Sequence, residues 1–398
     1  MVSILVDDRR VERCLERTLE QARRGGGEFA DDLILRGVNG SLSVELPPDS
    51  DAQALIKLPE NILVPVESFG FALEGGDIAV RTAEPDVTAE QRALLESMLE
   101  LYNLTGKIAW YRRTSPFLFL RSQPDLARLI ARGRDEPMRQ ALELLVAAGA
   151  DIDRIALRRF ISTRWFRLQD DGNVGSKRVL LPVLDLMNHH AQGSTFEKRS
   201  DGNGRFLCVE RARAMPREVR ECFVHYARYD AMEMLLAYNF VDETATFVRS
   251  VPMEINLPNT GMIKVQTSKA KGGSKNLPLQ LRDVAVFLPK IIAKRADYLE
   301  VTFLSVPATV TPQAFRKVLN VLIGTLNRAC VDRLDLILQA EEQVIATNTA
   351  YYEKVREALR AVPAEGRAAS AWHDLTRACE LQLSLLQTYR DNARGLAA

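Results

Sequence analysis

Apolar and polar positions divide the chain into stretches of different period. From residue 7 to 24 charge is dense, and Val11, Cys14, Leu15 and Leu19 recur at helical steps. That pattern predicts an amphipathic helix stopped by Gly25, Gly26 and Gly27. Short β-type runs follow at Leu33 to Arg36, Leu42 to Leu46 and Ala54 to Leu58, with Asn/Gly and Pro/Asp turns between them. Residues 88–149 are helix-rich: Thr88 and Gln91 form a capping box for a helix through Leu101, and further helices are expected at Gln123 to Ala131 and Glu136 to Ala148. Two polar stretches, Gln169 to Lys177 and Gln192 to Gly204, read as surface loops, the second feeding a strand from Arg205 to Glu210. Gly261 to Asn276 reads as a mobile loop. Thr311 and Pro312 then suit a helix start, and long helices are expected near 313–329, 331–361 and 367–394. Their apolar residues, among them Leu334, Leu338, Leu375, Cys379 and Leu386, fall at the steps of a helical bundle core.

Composition narrows the function classes. The chain has 398 residues, enough for two or three domains, and a formal net charge of +1. A general nucleic-acid binder would carry a clear basic excess, so a protein or small-molecule partner is expected instead. The 5 cysteines are odd in number and scattered, without a Cys-x-x-Cys pair or a histidine at ligand spacing. That excludes a disulfide framework and a structural zinc site as readings, and with no apolar run of spanning length it points to a reduced, cytoplasmic protein off the membrane.

The candidate chemistry gathers in three segments. Leu180 to His190 is an apolar run with a single acid, Asp185, that breaks into Asn188 and His189. Val224 to Tyr229 is a β-type run that delivers Tyr226, and Leu235 to Val241 contains Tyr238 and Phe240. An isolated Asn-His pair is ordinarily a turn cap beside a satisfied core histidine, and a strand tyrosine is ordinarily a packing residue. Here all three segments occur together at set distances. In that combination the sequence resembles the SET-domain methyltransferases, in the branch that contains the Rubisco large-subunit lysine methyltransferase and the actin-histidine methyltransferase. That branch carries an (I/V)P-x-x-D-(L/M)-x-NH segment, then a hydrophobic-Tyr-Gly segment, then a short helix ending in Tyr-Gly-Phe or Ser-Gly-Phe. Ser162, Thr163 and Arg164 also match its V-x-(S/T)-R-x-F segment.

The resemblance implies an α+β fold: a SET domain of small β-sheets with a pseudoknot, split by a helical insertion and followed by an α-helical C-terminal domain. On that basis residues 1–90 hold the N-terminal helix and the first part of the SET domain, 91–155 the insertion, 156–245 the second part with the pseudoknot motifs, and 246–398 a mainly α-helical, substrate-binding-like domain. It implies S-adenosylmethionine as cofactor, contacted by Gly40, Arg164, Asn188 and His189. Tyr226 becomes the catalytic tyrosine, and Tyr238 and Phe240 face the methyl acceptor. Methyl transfer from a sulfonium needs alignment, desolvation and polarisation, and neither a metal nor a covalent intermediate. A protein lysine is the expected acceptor, because a phenol at Tyr238 suits an amine; a small-molecule or peptide acceptor and a non-catalytic binding module are the alternatives. Several positions depart from the branch. One glycine, Gly40, stands where a Gly-x-Gly turn is usual, and Asn39 is placed to take the left-handed conformation of the other. Ala227 replaces the glycine after the tyrosine, Asp230 to Glu233 replaces Ser-Asn-Ala-Glu, Asn239 replaces the last glycine, and Pro216 to Arg220 replaces a Gly-Glu-Glu turn.

Overall fold

The computed structural model describes residues 2–147, 151–169, 176–202, 204–267, 275–277, 288–308, 311–327, 333–362 and 369–395. The fold is mixed α+β with small sheets and a helical C-terminal region. Its helices are α1 (Arg9–Arg24), α2 (Ala89–Leu104), α3 (Lys107–Thr114), α4 (Pro116–Ser122), α5 (Pro124–Arg132) and α6 (Glu136–Val146). They continue with α7 (Ile152–Ser162), α8 (Ala231–Tyr238), α9 (Pro312–Leu326), α10 (Leu334–Arg360) and α11 (Ala369–Arg394). Among the described residues no helix is long and apolar enough to cross a membrane. The chain forms two compact units, residues 1–113 with 151–228, and residues 114–150 with 229–398.

In the first unit, Asp8 caps α1 by accepting from the Arg10 amide at 2.8 Å, and the helix ends at Gly25. The face of α1 made by Val11, Cys14, Leu15, Thr18, Leu19 and Ala22 is buried, as its spacing predicts. Thr88 and Gln91 form the expected reciprocal capping box on α2. Strand Ile34–Val38 pairs in parallel with Ser3–Val6 and antiparallel with Ser41–Glu45. A second sheet runs in the order Glu197–Asp201, Gly204–Glu210, Ala54–Pro59, Glu28–Phe29, and a third joins Val64–Pro65, Ser176–Leu180 and Trp165–Gln169. The loop expected at Gln192 to Gly204 is therefore largely strand. Glu197–Asp201 is a polar edge strand, four of its five side chains exposed, so it lacks the alternation by which strands are read.

In the second unit, strands appear that the periodicity did not place. Met253–Leu257, Gly261–Val265, Tyr298–Val301, Lys290–Lys294 and Lys275–Asn276 make one sheet, and Phe247–Arg249 pairs with Ser305–Pro307. The loop expected from Gly261 thus opens as a strand, while its residues 268–274 lie outside the described residues. The three long helices fall where expected, and Leu375, Cys379 and Leu386 of α11 are buried as the bundle pattern predicts. Leu334 and Leu338, in the first turns of α10, are instead exposed at 60% and 39%, because the buried face of α10 runs through Ile337, Ala340, Val344 and Ile345. The unit's interior holds a charged cluster around the start of α8. Asp230 caps α8 in a box with Glu233, and Arg134 pairs with Asp230 at 3.4 Å while donating to the Tyr352 hydroxyl at 2.8 Å. Arg249 pairs with Glu233 at 2.8 Å. Two cations and two carboxylates leave the cluster neutral, which is the condition for burying any of them.

The turn between Val38 and Ser41 is a two-residue hairpin loop with Asn39 at φ 52° and Gly40 at φ 79°. Both residues are left-handed, as a type I′ hairpin turn requires. A Cβ on Gly40 would also stand 2.9 Å from the Thr105 carbonyl oxygen. Gly40→Ala should therefore destabilise the protein by about 1–2 kcal/mol from the left-handed backbone alone, read as a lower denaturant midpoint, whereas Asn39→Gly should leave the midpoint nearly unchanged.

Candidate functional site

The segment that carries Tyr226 is held between two others in the first unit. On one side the Cys222 amide donates to the Val44 carbonyl at 2.7 Å, and the Leu46 amide donates to Arg220 at 2.8 Å. On the other, the Val224 amide donates to Asn188 at 2.9 Å, the Ser194 amide to Phe223 at 3.0 Å and the His225 amide to Ser194 at 2.8 Å. The two segments approach so closely that a Cβ on Gly193 would lie 2.7 Å from the Val224 carbonyl carbon. That contact is the reason for a glycine there. The Tyr226 hydroxyl donates to the Met187 carbonyl at 2.6 Å, and its amide donates to His189 Nδ1 at 3.1 Å. His189 Nδ1 is thus the unprotonated nitrogen, and the ring proton belongs on Nε2. The His189 and Tyr226 rings lie 5.3 Å apart.

Met187 follows a tight bend. Val183 has φ 65° and ψ −44°, and the Leu184 amide donates to the Pro182 carbonyl at 2.7 Å, which makes a strained γ-turn centred on a buried β-branched residue. A short 3-10 turn, Leu184–Leu186, comes next and points Asp185 inward. Asp185 Oδ2 accepts from the Tyr102 hydroxyl at 2.6 Å, and its Oδ1 lies 3.5 Å from Arg164 Nη1. Burial first, and then the Asp185 charge, push the Tyr102 phenol well above its ordinary pKa, so it remains a donor. Arg164, at the end of α7, lies over the Phe160 ring at 5.1 Å and the Tyr102 ring at 5.7 Å. Its Nε is buried and has no hydrogen-bond partner among the described residues. An orphaned donor of this kind costs about 1–3 kcal/mol until an acceptor meets it. Lys107, the first residue of α3, belongs to the same cluster. Burial and then the Arg164 charge bring its pKa down to about 7, opposed by Asp185.

Of the residues singled out in the sequence, Arg164, Asn188, His189 and Tyr226 come together here. Asn188 donates through Nδ2 to Glu221 at 2.6 Å and to the Leu42 carbonyl at 3.3 Å. Burial raises the Glu221 carboxyl, and the Asn188 hydrogen bond opposes that shift. Gly40 sits in its hairpin turn against Thr105, two residues before Lys107. Tyr238 and Phe240 belong to the second unit, where their rings lie 6.4 Å apart and Tyr229 lies 6.2 Å from Tyr238. Asn239 between them takes the left-handed conformation at φ 71° and closes α8 by donating to Leu235 at 2.9 Å. Tyr102 and Lys107 were not singled out in the sequence, and Asp185 was noted only as a lone acid. That lone acid was the available signal, since a carboxylate in an apolar run needs a hydroxyl or a cation brought to it.

No family model matches the chain, and no curated protein matches it either. Among solved structures it is similar to the SET domain of LSMT bound to lysine and AdoHcy, at 13% identity and a TM-score of 0.39 over 96% of this chain and 91% of that one. It is likewise similar to Rubisco LSMT bound to sinefungin and monomethyllysine, at 12% identity and a TM-score of 0.38 over 96% and 92% of the two chains.

Removing the Asn188 amide takes a donor from a half-buried carboxylate and from a carbonyl. Asn188→Ala should cost about 1–3 kcal/mol, measured as a denaturant-midpoint shift. A double-mutant cycle with Glu221→Ala should return a coupling energy of at least about 0.5 kcal/mol, and strictly additive losses would show the contact to be idle.

Proposed function

We propose that the protein is an S-adenosylmethionine-dependent methyltransferase that N-methylates a lysine side chain in a protein. The observation that supports this most is the fixed tyrosine. The Tyr226 hydroxyl is held by the Met187 carbonyl, and its backbone is held by His189 and by the Asn188 segment. A hydroxyl committed as donor to a carbonyl keeps its oxygen lone pairs as acceptors in a set direction. Such an oxygen suits a methyl group in transfer, which carries polarised C–H bonds.

In this reading the cofactor supplies an electrophilic methyl on a sulfonium. Asn188, His189, Arg164 and the turn at Gly40 bind it, and Tyr226 is the catalytic residue. Arg164 fits that task because its buried Nε–H lacks an acceptor among the described residues. Held there, the cofactor would give its methyl to the acceptor amine and keep the C–S bonding pair as a thioether. The amine must shed its proton first, which an apolar, aromatic surrounding favours by desolvation. Tyr238 and Phe240 are assigned to the acceptor on the likeness of their segment to the Tyr-Gly-Phe motif, and the phenol is what favours lysine over histidine.

Calorimetric titration with S-adenosylmethionine and with S-adenosylhomocysteine should show saturable binding of both. If neither gives heat or a melting shift at millimolar concentration, the reading is lost. Tyr226→Phe keeps the ring and removes the oxygen. It should leave cofactor affinity within a few-fold and lower methyl transfer to a lysine peptide array by about 10²-fold, the scale of a lost preorganised contact. Undiminished transfer in that variant would reduce Tyr226 to a packing residue.

A further inference from the structure

Lys107 has no task in the chemistry just described, yet its setting is unusual. It is half-buried at the first position of α3, after Gly106 in the left-handed conformation at φ 61°. Its ammonium group makes no hydrogen bond or ion pair among the described residues. The charged groups that face it are Arg164, from the end of α7, and Asp185, from the 3-10 turn. Tyr102 of α2 donates to one oxygen of Asp185, and the other lies at the long distance of 3.5 Å from Arg164. The cluster therefore has two cations against one carboxylate, an orphaned guanidinium N–H and an ammonium without an acceptor. Donors and positive charge are both in excess, and the chemical complement is an anion with two acceptor oxygens.

We infer that Lys107 is a second cationic contact, beside Arg164, for the α-carboxylate at the amino-acid end of the cofactor. This rests on the methyltransferase reading. With that carboxylate in place the Arg164 Nε–H and the Lys107 ammonium each gain an acceptor oxygen that the described residues do not offer. Lys107 also becomes a proton gauge. With its pKa brought down to about 7 by burial and Arg164, it is mostly neutral in the free protein at pH 8.5. A carboxylate arriving beside it favours the charged form, so binding above neutrality takes up a proton, and affinity falls as pH rises past 7. The contrary role, Lys107 as proton acceptor for the substrate amine, needs a neutral lysine in the cofactor complex and gives no such uptake.

The test is calorimetry on the full chain at pH 6.5 and 8.5, in buffers of different ionisation enthalpy, with two probes. S-adenosylhomocysteine carries the carboxylate; 5′-methylthioadenosine keeps the nucleoside and sulfur without it. Lys107→Met should weaken S-adenosylhomocysteine by about 10- to 100-fold, the scale of one charge-assisted contact. It should leave 5′-methylthioadenosine within about two-fold, which also certifies the fold of the variant. Proton uptake at pH 8.5 should vanish with it. Lys107→Arg should hold affinity within a few-fold and remove the pH dependence. Equal weakening of both probes, unchanged S-adenosylhomocysteine binding, or persistent proton uptake in Lys107→Met would overturn the assignment while leaving the methyltransferase reading in place. Failure of the wild type to bind S-adenosylhomocysteine would overturn both.

Discussion

Asp185 is the constraint on which the first unit's site depends. A carboxylate inside an apolar run has to be matched, and here the partners come from distant parts of the chain, Tyr102 on α2 and Arg164 at the end of α7. Satisfying that one group fixes the bend that contains it. The bend fixes the Met187 carbonyl, the carbonyl fixes the Tyr226 hydroxyl, and the Tyr226 amide fixes the tautomer of His189. A chain of single hydrogen bonds is only as rigid as its first anchor, and this anchor is buried, charged and flanked by the edge-to-face pair of Tyr102 and Phe160, 5.5 Å apart.

Much of this was legible in the sequence, for physical reasons that differ from residue to residue. Amphipathic helices such as α1, α2 and α11 announce themselves because one face is buried and the period survives. The gathering of Asn188, His189 and Tyr226 was legible from segment resemblance alone, since no local rule brings residues 188 and 226 together. The 8-residue helix α3 has too few turns to establish a period, and the polar edge strand Glu197–Asp201 has no buried face to alternate with. Gly193 looked like loop punctuation, and its reason is the Val224 backbone passing against it. Lys107 was invisible because nothing about a lysine after a glycine says that an arginine from another helix will be its neighbour.

The departures from the motif pattern that the sequence resembles mostly have local explanations. Asn39 and Asn239 take the left-handed backbone that glycine would have taken, at φ 52° and 71°, which asparagine tolerates better than other side chains. Asp230, where the pattern has serine, caps α8 and pairs with Arg134, so its charge is matched. Nothing in the structure accounts for Ala227 in place of glycine.

Val183 is caught between two demands. Its side chain is 3% exposed and fills the core, while its backbone at φ 65° is one that only glycine adopts without strain. Glycine would relax the turn and empty the core; leucine or isoleucine would keep the core filled and leave the turn strained. In mutational terms the position is a ridge with a loss on either side, so a lineage that holds this bend is held in turn by the valine that strains it.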